Sequence, residues 1–282
     1  MRGILCTVLC FTIVLTSIRT TVCADEVPFK PILVFNALRA SYGERIQDLF
    51  WDEGELCFTV RGTRIYWQGG RMLSQDHIPD SDSYDPILYK YPIGKMDTLP
   101  EVVPYPYNRS TDFLDALVGE TEREITGSCE WIGFLKHRVY VHELCREPLE
   151  RIDARLREAA RESHEIREYV DNIKIIFSMD RRKVEGSDAL SYHAYGLALD
   201  IVPRDYGGKQ VYWRWSAAWR SGWDRIPLDE RWQPPPAVID AFEQEGFVWG
   251  GKWYHFDTIH FEYRPEIIIL NRQQPTGGGV KE

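Results

Sequence analysis

Two short segments in the C-terminal half constrain how this chain can fold. The first carries His193 and Asp200, and the second carries Asp257 and His260. Two imidazoles and one carboxylate form a three-ligand zinc set with one open coordination position, and a second carboxylate nearby can handle the proton of a water molecule. If the two segments serve one metal ion, the fold must bring them together from distant parts of the sequence.

The first segment predicts a loop followed by a strand. His193 precedes the apolar stretch Leu197–Ile201, and Gly196 lies between them. Because glycine tolerates backbone angles that other residues avoid, it permits a turn there. The His193 ring and the Asp200 carboxylate can then reach one ion from a loop and from a strand.

The second segment predicts a turn. Asp257 and His260 are three residues apart, and a regular strand would place them on opposite faces of a sheet. We therefore expect Asp257 in the loop just before the strand and His260 at its start, with the Asp257 carboxylate beside a metal-bound water. His255 competes with His260 for the ligand position, and spacing alone does not exclude it, although we favour His260. Burial would raise the pKa of Asp257 and a metal would lower it, so the sequence leaves the sign of the shift open.

Together the two segments resemble a known family. The pattern Ser-x-His-x-x-Gly-x-Ala-x-Asp begins at Ser191, and Asp-x-x-His-Phe-Glu occupies 257–262. This resembles the M15 zinc peptidases, which include D-alanyl-D-alanine carboxypeptidases, D,D-dipeptidases and phage L-alanyl-D-glutamate endolysins. The resemblance covers roughly residues 134–266. It implies an α+β fold, shared with the signalling domain of hedgehog proteins, in which a small antiparallel sheet packs against helices.

The resemblance also implies roles for individual residues. Zinc (Zn²⁺) would be held by His193, Asp200 and His260, with Asp257 as the catalytic base. An aspartate rather than a glutamate at the base position is more like the endopeptidase branch.

The same resemblance predicts a functional arginine. Members usually carry Ser-Gly-aromatic-Arg after the strand that precedes the first motif, and its arginine neutralises charge on the scissile carbonyl. Here the stretch 178–181 reads Ser-Met-Asp-Arg, so Arg181 is our choice and Arg182 the alternative, while an ordinary surface pair is the simpler interpretation. Ser191 would help to position the substrate, or would only cap a turn.

The first 24 residues predict a secretory signal cleaved after Ala24. They contain Arg2, an apolar run from Ile4 to Ile18 and small residues before the cleavage point. An uncleaved anchor and lipidation at Cys23 are the alternatives. We therefore expect a periplasmic or secreted protein without a stable membrane span after cleavage, since no later stretch has the roughly 20 apolar residues that a span needs.

The net charge and the cysteines bear on which partners the protein can bind and on whether it contains disulfides. The net charge of −9 argues against a nucleic acid partner. Three cysteines follow the signal, and Cys129 could pair with Cys145 in an oxidising compartment, or Cys57, Cys129 and Cys145 could all be free thiols. None of them has zinc-finger spacing. The sequence does not indicate an oligomeric state.

We expect four divisions of the chain: the signal peptide at 1–24, a leader region with short strands at 25–108, an M15-like zinc peptidase domain at 109–270 and a flexible tail at 271–282. The leader should contain a hairpin or meander around Arg61 and Gly62. In the main domain we predict helices over 110–117, 148–172 and 236–245, and strands over 134–141, 173–178, 196–202, 247–253 and 258–264.

A tryptophan-rich stretch runs from Tyr212 to Trp232 without a single period. In the simplest interpretation these aromatic residues form part of the core and the wall of a cleft. The alternative is that they form a platform on which sugars stack.

The sequence thus predicts a zinc metallopeptidase that hydrolyses amide bonds in peptidoglycan peptides, of the D-Ala-D-Ala carboxypeptidase or L-Ala-D-Glu endopeptidase type. The zinc-bound water would attack with Asp257 as general base, and Asp257 would then protonate the leaving amine. The alternatives are a non-catalytic zinc-containing module that binds peptidoglycan or signals, and a carbohydrate-binding protein that uses the tryptophans.

Overall fold

The computed structural model describes residues 29–102, 108–185, 187 and 189–273. The predicted signal peptide and the glycine-rich end of the predicted tail lie outside these residues. The helices are α1 (Pro31–Tyr42), α2 (Asp112–Val118), α3 (Glu122–Gly127), α4 (Glu143–Glu162), α5 (His164–Asn172), α6 (Trp213–Ala217), α7 (Pro236–Gln244) and α8 (Pro265–Gln273). The strands are β1 (Ile46–Asp52), β2 (Glu55–Val60), β3 (Thr63–Gln68), β4 (Arg71–Leu73), β5 (Cys129–Phe134), β6 (His137–His142), β7 (Ile173–Phe177), β8 (Ala198–Pro203), β9 (Phe247–Trp249) and β10 (His260–Tyr263).

The predicted leader region contains an antiparallel meander, β1-β2-β3-β4. Arg61 and Gly62 form the turn between β2 and β3, with φ of 49° and 86°. Two positive φ angles in a two-residue loop give the turn twist that fits a hairpin, which explains why a glycine occupies the second position. The predicted meander is confirmed.

The C-terminal half is built around a second antiparallel sheet with the order β7-β8-β10-β9. Helix α7 packs on one side, where Phe242 stacks on Phe261 with ring centroids 4.0 Å apart, and α4 packs against α7. Helix α7 begins with Pro236 at its first turn and is followed by Gly246 at φ 88°, as its sequence predicts. The α+β fold class is thus confirmed.

The strand predicted over 134–141 is wrong in one respect, because the chain reverses within it. Leu135 and Lys136 form the turn of the β5-β6 hairpin, with φ of 45° and 67°. Neither residue type favours such angles. Tertiary contacts stabilise the turn, since Leu135 is buried and its backbone N–H donates to Asp153 Oδ1 at 2.7 Å.

The single helix predicted over 148–172 is also wrong. The chain forms two helices, α4 and α5, which meet at Ser163, where the backbone is extended and the hydroxyl caps α5. Helix α4 begins before Pro148, because His142 Nδ1 accepts the Leu144 N–H at 3.2 Å and caps the first turn. A polar side chain at each start thus determines the boundaries.

The strand predicted over 173–178 is present as β7 but is not fully buried as expected. Ile175 and Phe177 are exposed, because β7 pairs only with β8 and forms the edge of its sheet. The sequence left open whether Cys129 and Cys145 form a disulfide. In the structure Cys57, Cys129 and Cys145 are free thiols.

The N-terminal elements pack directly on the C-terminal half. Helix α1 lies against α8, and both contribute to one continuous hydrophobic core. The Tyr42 hydroxyl donates to Glu266 Oε2 at 2.6 Å, and Arg264 Nη2 donates to the Ile87 carbonyl at 2.7 Å. Among the residues described, no helix combines the length and the apolar character that crossing a bilayer requires.

Candidate metal centre and active site

Two central strands bring the first two candidate ligands together. Asp200 on β8 and His260 on β10 are direct cross-strand partners in an antiparallel register. Directly opposed residues project from the same face of a sheet. His260 Nδ1 consequently lies 2.8 Å from Asp200 Oδ1.

The third candidate ligand comes from the turn that precedes β8. His193 lies in a 3-10 turn over Tyr192–Tyr195, whose start is capped by Ser191 Oγ, an acceptor for the His193 N–H at 3.3 Å. Gly196 ends the turn at φ 68°. A Cβ atom at this position would lie 2.8 Å from the backbone nitrogen of His142, so both the φ angle and the space require glycine.

The three ligand atoms are close enough to share one ion. His193 Nε2 lies 3.1 Å from Asp200 Oδ1 and 3.3 Å from His260 Nδ1. Ligands about 2.1 Å from a tetrahedral zinc ion are about 3.4 Å from one another, which is close to these separations. His193, Asp200 and His260 also form the cluster of potential metal ligands found among the described residues, with all ligand atoms within 4.8 Å.

Hydrogen bonds on the far side of each ring select the nitrogen that faces the cluster. His193 Nδ1 lies 2.7 Å from the Ser178 carbonyl, which can only accept, so this nitrogen carries the proton and Nε2 is free to bind a metal. His260 Nε2 lies 3.2 Å from Glu262 Oε2, which leaves Nδ1 for the metal in the same way. Such outer partners orient metal-binding histidines and increase their basicity.

Behind Glu262 is a chain of buried charges. Arg264 donates to Glu262 Oε1 at 3.4 Å and to Glu266 Oε1 at 2.5 Å, and Tyr42 donates to Glu266 from the other side. Burial raises the pKa of Glu262, but the hydrogen bond from His260 and the nearby positive charges outweigh burial and hold the pKa below its ordinary value. Glu262 is therefore an ionised acceptor for His260.

The sequence analysis assigned no role to Glu262, although a signal was available. Residues two apart on a strand project to the same face, and Glu262 follows His260 by two.

The charges at the cluster favour a cation. Burial lowers the pKa of His260, but hydrogen bonds with Asp200 and Glu262 outweigh burial and raise the pKa to about 10. Burial raises the pKa of Asp200, and the interactions of its carboxylate with the His193 and His260 rings outweigh burial and leave the pKa below its ordinary value. Asp200 and Glu262 thus flank His260 with negative charge that can neutralise a bound metal ion.

Asp257 lies in the loop just before β10, as the spacing predicts. Its carbonyl accepts the His260 N–H at 3.3 Å, which forms the turn between them. Its Oδ1 atom is buried and has no hydrogen-bond partner in the described part of the chain. Burial, and then the negative charge of Asp200, raise the pKa of Asp257 to about 7. Burial thus shifts the pKa of Asp257 upward, which is the direction that the sequence analysis expected of burial.

Of the two candidate arginines, Arg182 is the one that reaches the cluster. Its Nη2 lies 3.7 Å from Asp200 Oδ2, and its Nε lies 3.1 Å from Asp180 Oδ2. Arg181, our first choice, is exposed and forms no hydrogen bond or ion pair with any residue described. The loop after β7 therefore directs the second arginine, and not the first, towards Asp200.

His255 does not join the cluster. Its ring packs against Trp213 and Trp223, at centroid distances of 4.6 Å and 5.3 Å. Burial, and then the charge of Arg214, lower the pKa of His255. Of the two histidines that compete in the sequence, the structure therefore brings His260 to Asp200 and leaves His255 among aromatic rings.

Comparison with known proteins agrees with this geometry. Residues 185–263 match the D-alanyl-D-alanine carboxypeptidase family of M15 peptidases. The matched segment contains His193, Asp200, Asp257 and His260, and it ends within β10. No solved structure matches the chain significantly. The segment from residue 185 to residue 263, which holds the whole cluster and Asp257, is therefore similar to the M15 family of peptidases.

Proposed function

We propose that this protein is a zinc metallopeptidase that hydrolyses an amide bond in the D-amino-acid-containing peptides of peptidoglycan. The observation that carries the proposal is the convergence of His193, Asp200 and His260 next to the unpartnered carboxylate oxygen of Asp257. The family match supports a peptidase that acts on peptidoglycan. We place its site of action in the periplasm or outside the cell, where that polymer lies.

Three atoms would hold the metal: His193 Nε2, Asp200 Oδ1 and His260 Nδ1. When bound there, zinc would polarise the scissile carbonyl and lower the pKa of a water molecule to about 7. The Ser178 carbonyl and the Glu262 carboxylate would each accept the proton on the far nitrogen, which leaves His193 Nε2 for the metal, and His260 Nδ1 once that nitrogen has lost its proton.

Asp257 would move the proton. A general base works best when its pKa is near the working pH, and burial raises the pKa of Asp257 towards that range while a bound zinc ion would lower it. Its free Oδ1 would accept a proton from the attacking water and deliver a proton to the amine that leaves. Because the same carboxylate accepts and then donates, it returns to its starting state after each turnover.

We assign the neutralisation of charge on the scissile carbonyl oxygen to Arg182 rather than to Arg181. The guanidinium of Arg182 lies near Asp200, whereas Arg181 is exposed and forms no ion pair with a described residue of the cluster. Ser191 remains our predicted substrate-positioning residue, and its hydroxyl already supports the turn that carries His193.

The test is the digestion of purified peptidoglycan peptides with and without a chelator, with the fragments weighed by mass spectrometry. We expect zinc-dependent loss of a terminal D-alanine for the carboxypeptidase type, or cleavage between L-alanine and D-glutamate for the endopeptidase type. Unchanged peptides in the presence of zinc, or cleavage that is equal with the chelator, would refute the proposal.

A further inference from the structure

Two tryptophans near the candidate site are exposed in a way that the peptidase chemistry does not require. Trp215 and Trp219 have 60% and 65% of their surface exposed. They are four residues apart on α6 and the helical turn that continues it, so they lie on the same side of that helix. Adjacent large apolar surfaces that remain in water mark binding sites more often than chance positions do.

Helix α6 is fixed to the loop that carries Asp257. The Trp213 N–H donates to the Phe256 carbonyl at 2.9 Å, and Tyr212 and Asp257 form an antiparallel bridge. The next hydrogen bond of this contact joins the Thr258 N–H to the Val211 carbonyl at 2.9 Å. The exposed tryptophans therefore stand on an element whose position is tied to the candidate base.

Other aromatic rings extend this surface. Tyr212 contacts both Trp213 and Trp215, at centroid distances of 6.1 Å and 5.6 Å, and Trp213 contacts Trp223 at 5.0 Å. We call these residues, together with Trp219, the aromatic face. Each ring except those of the two exposed tryptophans is half-buried, so the aromatic face continues from a packed cluster to open solvent.

We propose that the aromatic face binds the sugar rings of a glycan strand, so that the peptide is cleaved while it is still attached to its glycan. This inference rests on the proposed function, because the substrate class supplies a sugar at a covalently fixed distance from the scissile bond. The C–H faces of a pyranose stack on tryptophan rings, while indole N–H and phenol groups at the ring edges bind hydroxyl and amide groups. Arg214 and Arg220 beside the tryptophans are paired with Glu185 and Glu230, so these two arginines offer an anionic membrane or another polyanion no uncompensated charge.

The first test measures sugar binding without any peptide chemistry. Oligomers of β-1,4-linked N-acetylglucosamine are titrated into the chelator-treated full chain, and binding is followed by calorimetry. We expect the double variant Trp215→Ala, Trp219→Ala to bind about tenfold more weakly or worse, since central aromatic contacts dominate such sites. Trp131→Ala and Trp51→Ala are matched controls, because these tryptophans are 58% and 73% exposed on other elements.

Equal binding by the double variant, or equal loss in a control, would overturn the inference. So would a parent protein that binds phosphatidylcholine vesicles through these tryptophans and ignores the sugar. Circular dichroism of each variant verifies that the fold is retained.

The second test separates this inference from the proposed function. We expect the double variant to lose about tenfold in kcat/KM on polymeric peptidoglycan and to keep its rate on the free peptide. An equal loss on both substrates would contradict glycan binding. If neither substrate is cleaved by the parent protein but sugar binding still depends on Trp215 and Trp219, the proposed peptidase fails and the glycan site stands.

Discussion

The surroundings of the candidate metal cluster and the aromatic face differ in what they bury: the first buries charged side chains, and the second exposes apolar ones. Around the cluster, Glu262, Arg264 and Glu266 are buried although they are charged, and each has a partner. On the aromatic face, Trp215 and Trp219 are apolar and yet exposed. Buried charges are costly unless paired, and exposed aromatic surface is unfavourable in water. The first region therefore pairs its charges within the chain, whereas the second leaves apolar surface in contact with solvent.

The largest effect should come from removing a ring of the cluster. We expect His193→Ala or His260→Ala to lose both zinc content and peptide hydrolysis, because two ligands cannot hold the ion in a three-ligand site. Zinc is measured by atomic emission and hydrolysis by mass spectrometry. His164→Ala, which removes an exposed histidine of α5, is the control. Full activity in either cluster variant would show that the cluster is not catalytic.

Asp257→Asn should separate chemistry from metal binding. The amide cannot accept the proton, so we expect kcat to fall by about two to four orders of magnitude, the usual contribution of a general base. Zinc content should be unchanged, because Asp257 is not part of the ligand cluster. Asp229→Asn, at an exposed position, is the control. A variant that retains the parental kcat would exclude Asp257 as the base.

His142 shows a third arrangement, a buried group that stays neutral instead of being paired. Burial, and then the charge of Arg45, lower the pKa of His142 to about 4, and its Nε2 has no partner among the described residues. The unfolded chain takes up a proton near the ordinary pKa of about 6.5, so stability should fall as the pH drops from about 6.5 to about 4. The loss from this group is about 3 kcal/mol.

His142→Asn provides the test, because asparagine can still cap α4 but does not titrate. We expect the free energy of unfolding of this variant, measured in urea, to change less with pH in that window than the free energy of the parent protein. Identical pH profiles would show that His142 is not the sensitive group. His137→Asn, on the same strand, is the matched control.

Glu262→Gln should have a smaller effect, which we expect on zinc affinity. Loss of the negative charge behind His260 reduces the basicity of the ring, so we expect zinc affinity to fall about 10- to 100-fold. Competition with a chromophoric chelator measures this affinity, and Glu168→Gln, an exposed change on α5, is the control. An unchanged affinity would mean that Glu262 only neutralises Arg264.

The two turns that present His193 and His260 were predictable from the sequence because their determinants are local. The turn at Gly196 and the turn between Asp257 and His260 follow from backbone sterics and strand periodicity, and both are present. The hairpin turn at Leu135 could not be predicted, since a contact from Asp153 on a distant helix stabilises it. The choice between Arg181 and Arg182 depends on the path of an irregular loop, for which the sequence has no periodicity.

The hydrogen bonds from Tyr42 to Glu266 and from Arg264 to the Ile87 carbonyl limit how the protein can be shortened. A version that starts at residue 109 would contain every candidate metal ligand, yet Glu266 and Arg264 would each lose a partner, and α8 would expose the face that α1 covers. The smallest unit that keeps both contacts thus includes the α1 helix and the segment that carries Ile87.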